Sequence, residues 1–182
     1  MAIFRYARPE RHVELNRTII EARPNGWLYA GRVDDGRWAF GFHTSSDEAS
    51  KLRREPARWE TIVRAAPCLT EMLGNSAFDR ETAFRDARSA ELFLPLGERW
   101  VACGDAAMCF DPIAGQGLFG ALRSGMAAAC HVRSVFKGEA TQDYAAELSA
   151  AATIYRDRRR KLYAEQQRWP NASFWRYQRE AP

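Results

Sequence analysis

The sequence predicts a mixed α/β fold, and three observations carry that prediction. Two aromatic-rich runs, Gly26–Val33 and Arg37–Thr44, flank the turn Asp34 Asp35 Gly36, a strong short-range signal for an antiparallel hairpin. The stretch Glu98–Lys137, ERWVACGDAAMCFDPIAGQGLFGALRSGMAAACHVRSVFK, opens as a short buried-strand pattern, breaks at Gly104 and Asp105, and enters a long small-residue helix through Gly115, Gln116 and Gly117. A third run, Thr141–Arg168, repeats apolar residues at helical spacing and stops before Pro170.

Taken in order, the first residues, MAIFRYARPERHVELN, hold no GxGxxG and no strand followed by a glycine-rich turn. Arg17–Glu21 is a short β-branched strand candidate. In the second hairpin arm Trp38, Phe40 and Phe42 fall on one face, and Ala39, Gly41 and His43 on the other. Such an aromatic face is read as core before it is read as a ligand platform. Thr44–Asp47 offers caps for a helix to about Arg54, and Pro56 suits the first turn of a second, ending near Ala66. Trp59, Ile62, Val63 and Ala66 make its apolar stripe. Gly74 stops a third short helix that begins near Cys68.

From Glu81 two extended segments lead to Pro95, with Arg85 and Arg88 read as solvated. In the C-terminal helix Tyr144, Leu148, Ala151, Ala152 and Tyr155 form the inner stripe, and Asp143 lies near the positive end. The basic cluster Arg156, Arg158, Arg159, Arg160 and Lys161 is read as a solvated helix end. The tail carries Phe174, Trp175 and Tyr177, enough aromatic surface to dock on the body or on a partner.

The chemistry concentrates at Gly104, Asp105, Pro112, Gly115, Gln116 and Gly117. Glycines at a helix entrance let backbone N–H groups approach a ligand, and the first-turn N–H groups have no intrahelical partner, so this end attracts negative charge. An acid at a strand's exit supplies a fixed acceptor for hydroxyls. Gly115, Gly117 and Gly120 also spell GxGxxG, but that fingerprint follows a strand immediately, and here Pro112 intervenes.

The run GDAAMCFDPIAGQGLFGAL resembles the second flavin-binding motif of the FAD-dependent aromatic hydroxylases and the flavin-dependent halogenases. The resemblance implies that Asp105 binds a ribityl hydroxyl of FAD and that Pro112 lies beside the reactive face of the isoalloxazine. Gly115, Gln116 and Gly117 would face its N1 and C2 carbonyl edge, and Gly104 belongs to the same cofactor-binding set. It further implies a monooxygenase: NAD(P)H or a separate reductase reduces the flavin, and a C4a-peroxide passes oxygen to a small organic substrate.

In those enzymes a dinucleotide-binding unit precedes the substrate sheet. The chain therefore reads as a C-terminal half whose N-terminal half or partner chain is missing. Residues 1–97 would be part of the substrate sheet with helices, 98–138 the FAD-binding segment with its returning strand, and 139–182 a C-terminal helix and tail. GWLYAGRVDDGR resembles a hairpin of the halogenase-like branch, but Gly26–Gly31 stands where the halogenases proper carry WxWxIP. Hydroxylation, halogenation and dehydrogenation stay open, and so does the catalytic acid or base.

Composition bounds the alternatives. With 182 residues, 46% hydrophobic and 27% charged, the chain can bury a real core, and a net charge of +4 does not by itself call for nucleic acid. Cys68, Cys103, Cys109 and Cys130 show no CxxC pair, so buried free thiols are expected and no metal. No secretory segment opens the chain and no apolar run is of membrane length, which makes a cytoplasmic location the expectation. The competing reading is a non-catalytic remnant or interaction module that binds a protein or nucleic acid.

Overall fold

The computed structural model describes residues 1–9 and 18–180. Two compact units emerge, Met1–Asp86 with Gln166–Ala181, and Ala87–Glu165. The division falls after Asp86 and returns the tail to the first unit, whereas the sequence reading put its boundaries after residues 97 and 138.

The first unit is an antiparallel sheet packed on helices. Strands β1 (Ala2–Ala7), β2 (Ile19–Arg23), β3 (Gly26–Arg32), β4 (Trp38–Thr44) and, later, β5 (Ala83–Arg85) stand in the order β2-β3-β4-β1-β5. The hairpin read from Asp34 Asp35 Gly36 is there, with Arg32 opposite Trp38, Gly36 at φ +81°, and the Asp35 carboxylate accepting from the Arg37 amide at 3.0 Å. That amide is the first reason the Asp35 carboxyl titrates below its ordinary value. Of the Arg17–Glu21 candidate, Arg17 lies outside the described residues, and the strand runs two residues further, to Arg23.

Helices α1 (Ser46–Arg54), α2 (Pro56–Arg64) and α3 (Pro67–Leu73) follow as their caps dictate. Ser45 accepts from the Glu48 amide, Pro56 and Pro67 open the next two, and Gly74 at φ +55° ends the third. Trp38, Phe40 and Phe42 meet Leu52, Trp59 and Val63 in one buried cluster, so that face is core. Trp59 also donates from its indole to the Ile3 carbonyl at 3.2 Å. The tail is a helix, α6 (Ser173–Glu180), in this same unit: Phe174 and Trp175 are buried, and the Trp175 indole donates to the Arg23 carbonyl at 2.8 Å.

The second unit is built from short pieces and two long helices. β6 (Ala90–Glu91), β7 (Leu96–Gly97), β8 (Trp100–Val101) and β9 (Met108–Cys109) make two-stranded ribbons, β6 with β9 and β7 with β8. The buried strand expected at Trp100–Cys103 is corrected on two counts. Only two residues are strand, and Trp100 is 52% exposed, its indole lying across Gly97 on a ribbon that no third strand extends. Helices α4 (Gly117–Lys137) and α5 (Tyr144–Glu165) complete the unit, α5 starting where Asp143 caps the Ala146 amide at 3.0 Å.

The cysteines correct a second expectation. All four are free, but Cys68, Cys103 and Cys130 are exposed and Cys109 is half-buried. Around Cys103 and Cys130 the glycine and alanine neighbours are too short to shield a sulfur. Among the described residues no helix is long and apolar enough to cross a membrane, and no group of side chains could hold a metal ion.

On the sheet face opposite the helix-packed core, His43 is 5% exposed and its ring stacks on Trp27 with centroids 3.7 Å apart. Burial, helped by the positive Met1 amino group, pushes its pKa from 6.5 down to about 3. The unfolded chain therefore takes up this proton first. The stability that neutral His43 permits is complete above pH 6.5 and is lost as pH falls toward 3. The loss should be on the order of 3 kcal/mol across that window. Denaturant unfolding followed by tryptophan fluorescence at pH 7 and pH 4 should show it, and His43→Phe should flatten the dependence; an unchanged slope in that variant would assign the effect to other groups.

Candidate functional site

The six residues singled out by sequence all lie in the second unit, on the two turns that lead into α4. Gly104 and Asp105 begin a one-turn 3-10 helix, Gly104–Ala106, and Pro112 begins another, Pro112–Ala114. Gly115 ends the second turn in the left-handed region, φ +62°, which a side chain would strain. Gln116 is the residue before α4, and Gly117 is its first.

The two turns are tied to the same helix. The Gly104 amide donates to the Ser124 hydroxyl at 2.8 Å, and that hydroxyl donates to the Ala121 carbonyl at 3.2 Å. Gly104 sits at φ +60°, and a Cβ there would touch Ala121, so the first turn lies close against the early part of α4. Asp105 projects from it exposed, and among the described residues its carboxylate takes part in no hydrogen bond or ion pair.

The head of α4 is uncapped. Gln116 makes no side-chain cap, the first turn holds no acid, and nothing approaches within 4 Å of where a Cβ would stand on Gly115 or Gly117. Free first-turn amides with no carboxylate beside them form a positive, open rim. The chemistry it offers is stabilisation of a negative edge, with Asp105 as acceptor for hydroxyls. A donor set of this kind fits the isoalloxazine edge and ribityl chain of FAD.

The dinucleotide fingerprint lacks its context here, because a 3-10 turn and not a strand precedes Gly115, and Gly120 packs against the Phe110 ring. A groove of about 170 Å³ opens beside Gln116, between Phe110, Phe119, Ser124, Leu148 and Ile154. It is smaller than the ~300 Å³ at which ligand pockets usually begin.

What sequence reasoning missed is the bracing by α5. Tyr144 donates to the Ala102 carbonyl at 2.7 Å, two residues before Gly104, and Tyr155 receives the Asp111 amide at 2.6 Å, one residue before Pro112. Burial raises the pKa of both phenols, which keeps them neutral hydrogen-bonding groups. The expected solvation of the basic cluster is corrected at one position: Arg159 is 7% exposed, facing Asp111, while Arg158, Arg160 and Lys161 are exposed.

No family model matches the chain. It is similar to LodB of Marinomonas mediterranea, which carries the description FAD-dependent oxidoreductase, with 24% identity over 161 residues, 86% of this chain and 42% of that protein. Among solved structures it shares the fold of the flavin-dependent halogenase CmlS, at a TM-score of 0.85 and 20% identity over 100% of this chain and 35% of that one. The peptidyl tryptophan dihydroxylase QhpG gives 0.76 and 20%, covering 100% and 43%. The chondrochloren halogenase CndH gives 0.75 and 19%, covering 97% and 44%. The chain thus spans less than half the length of each of these relatives. The resemblance to FAD-dependent halogenase-like proteins read from the GD and GQG motifs is borne out in fold, as is the mixed α/β class.

Ser124 is the joint between the two halves of the site. Ser124→Ala should leave the Gly104 amide without its acceptor and lower unfolding stability by about 1–2 kcal/mol. Denaturant titration of the purified chain reads this, and an effect below ~0.3 kcal/mol would mean that solvent satisfies the amide equally well.

Proposed function

We propose that the chain is the C-terminal part of an FAD-dependent oxidoreductase acting as a monooxygenase on a small organic substrate. One observation carries the reading: an open, uncapped α4 head, with Gly115, Gln116 and Gly117 at its start, shares a unit with the exposed Asp105 carboxylate. In this reading the Asp105 carboxylate accepts from a ribityl hydroxyl, and Gly104 sets its direction through the bond to Ser124. The Gly115 amide is taken by the Pro112 carbonyl at 3.0 Å, so Gly115 turns the chain and leaves the amides of Gln116 and Gly117 to face the electron-rich edge of the flavin, where the helix end stabilises negative charge. Pro112 presents a rigid surface, with no N–H, to the ring face. The bound flavin supplies the redox chemistry, with NAD(P)H or a separate reductase as electron source, and the protein supplies position and electrostatics.

Exposed apolar surface supports a further protein layer over the second unit. Leu118, Phe119, Leu122 and Met126 are all more than 60% exposed along α4, and Phe93 is 94% exposed. A helix apolar on nearly all sides belongs in a core. A dinucleotide-binding N-terminal half, on the same chain or a partner, is the natural cover, and without it only one wall of the flavin site exists.

Titration of FAD into the purified 182-residue chain, read by flavin fluorescence, should show weak uptake or none. Addition of a dinucleotide-binding half should produce quenching and a resolved visible band, weakened ~10-fold or more by Asp105→Ala, the size of one lost charge-assisted hydrogen bond. Isolation of the chain alone as a stoichiometric yellow monomer, or indifference of the complemented protein to Asp105→Ala, would overturn the reading.

A further inference from the structure

Asp111 is a buried carboxylate, 6% exposed, placed immediately before Pro112. Its Oδ1 accepts from the Ile113 amide at 3.0 Å, and its Oδ2 accepts from the Tyr163 hydroxyl at 2.8 Å. The Arg159 guanidinium lies 3.6 Å from the same Oδ2 and stacks over the Tyr163 ring. The Asp111 amide donates to the Tyr155 hydroxyl at 2.6 Å, and that hydroxyl shares a 2.5 Å bond with Ser89. Tyr155, Arg159 and Tyr163 are spaced four residues apart, so a single face of α5 presents all three. Every polar atom of Asp111 that could turn the loop away is therefore engaged by α5 or by the loop itself.

We propose that Asp111, held by Tyr155, Arg159 and Tyr163, is the positioning residue of the flavin site. It fixes where Pro112 and the amides of Gln116 and Gly117 point, without touching the cofactor. The role rests on the flavin reading above, but the geometry does not. The carboxylate caps the 3-10 turn from below while α5 fixes it laterally, so the α4 head starts at one set angle. A buried ion pair is a costly way to stabilise a fold, since desolvation offsets the attraction. It restricts the loop to a single conformation, because any movement would strand a buried charge.

Hydrogen exchange of the intact, flavin-free chain tests this. Tyr163→Phe removes one oxygen and Asp111→Ala the whole cap; Asp111→Asn keeps the cap on Ile113 and loses the charge facing Arg159. The hydrogen-bonded amides of Ile113, Ala114 and Gly115 should exchange about tenfold faster in Asp111→Ala and severalfold faster in Tyr163→Phe, with Asp111→Asn between them. The amides of Ala127–Val135, in the second half of α4, should stay within about twofold. Uniform acceleration across both helices, or none at the loop in Tyr163→Phe, overturns the proposal; the FAD titration above judges the flavin reading separately. In the complemented protein Asp111→Ala should weaken FAD uptake about tenfold and Asp111→Asn less; equal losses would also overturn it.

Discussion

The second unit depends on a charge taken out of water. Asp111 and Arg159 are each under a tenth exposed, and removing either would leave the other buried and uncompensated. The first unit needs no such device. Its core cluster of tryptophans, phenylalanines and aliphatics spans the sheet and three helices and holds nine of the twelve largest fully buried side chains, with Trp27 and Trp175 buried elsewhere in the same unit. Of those largest buried side chains only Tyr163 lies in the second unit, and it is a ligand of the same carboxylate. Hydrophobic burial organises one unit, and hydrogen bonds to buried phenols organise the other.

That difference explains how α5 can be so polar in sequence and still structural. Its buried residues are Tyr144, Ala152, Tyr155, Arg159 and Tyr163, a face made of phenol rings around one guanidinium. Each ring gives apolar contact along its body and a hydrogen bond at its tip. The tips of Tyr144 and Tyr155 reach the backbone next to Gly104 and next to Pro112. Two turns that carry no secondary structure beyond a few residues are thereby held at two points by one rigid rod. The turns can then leave their glycines open to a ligand without losing their shape.

Much of this was legible from the residues alone. The hairpin followed from its DG turn, the first three helices from the caps in Thr44–Asp47, from Pro56 and from Gly74, and the order of turn, proline and glycines before α4 from local chemistry; Pro67, read as closing the second helix, in fact opens the third. Signals that act within a few residues survive in a sequence. The interior strand β1 was not seen, because Ala2–Ala7 pairs with residues 38–43 and 83–85, and nothing near it announces that partnership. Arg159 was hidden among four other basic residues; only its four-residue spacing from Tyr155 and Tyr163 separates it from its solvated neighbours. Asp111 was not singled out beside Pro112, since nothing in the sequence shows that Tyr155, Arg159 and Tyr163 converge on it. The misread burial of Trp100 has the opposite cause: an apolar run looks like core whether or not anything covers it.

Such cover decides how α4 is to be understood. Twenty-one residues with few charges, small at Gly117, Ala121 and Gly125 and large at Leu118, Leu122 and Met126, have the composition of a helix enclosed on several sides. Within the second unit α4 touches the Gly104 turn and α5, and the remaining large side chains stay exposed. Exposure of that size in a chain with a full core elsewhere is the observation behind the cover proposed for α4. The polar anchoring of the loop fits the same logic. A loop held by buried hydrogen bonds keeps its geometry before any cover arrives, so a partner or cofactor meets a formed surface and the ordering cost of binding is reduced.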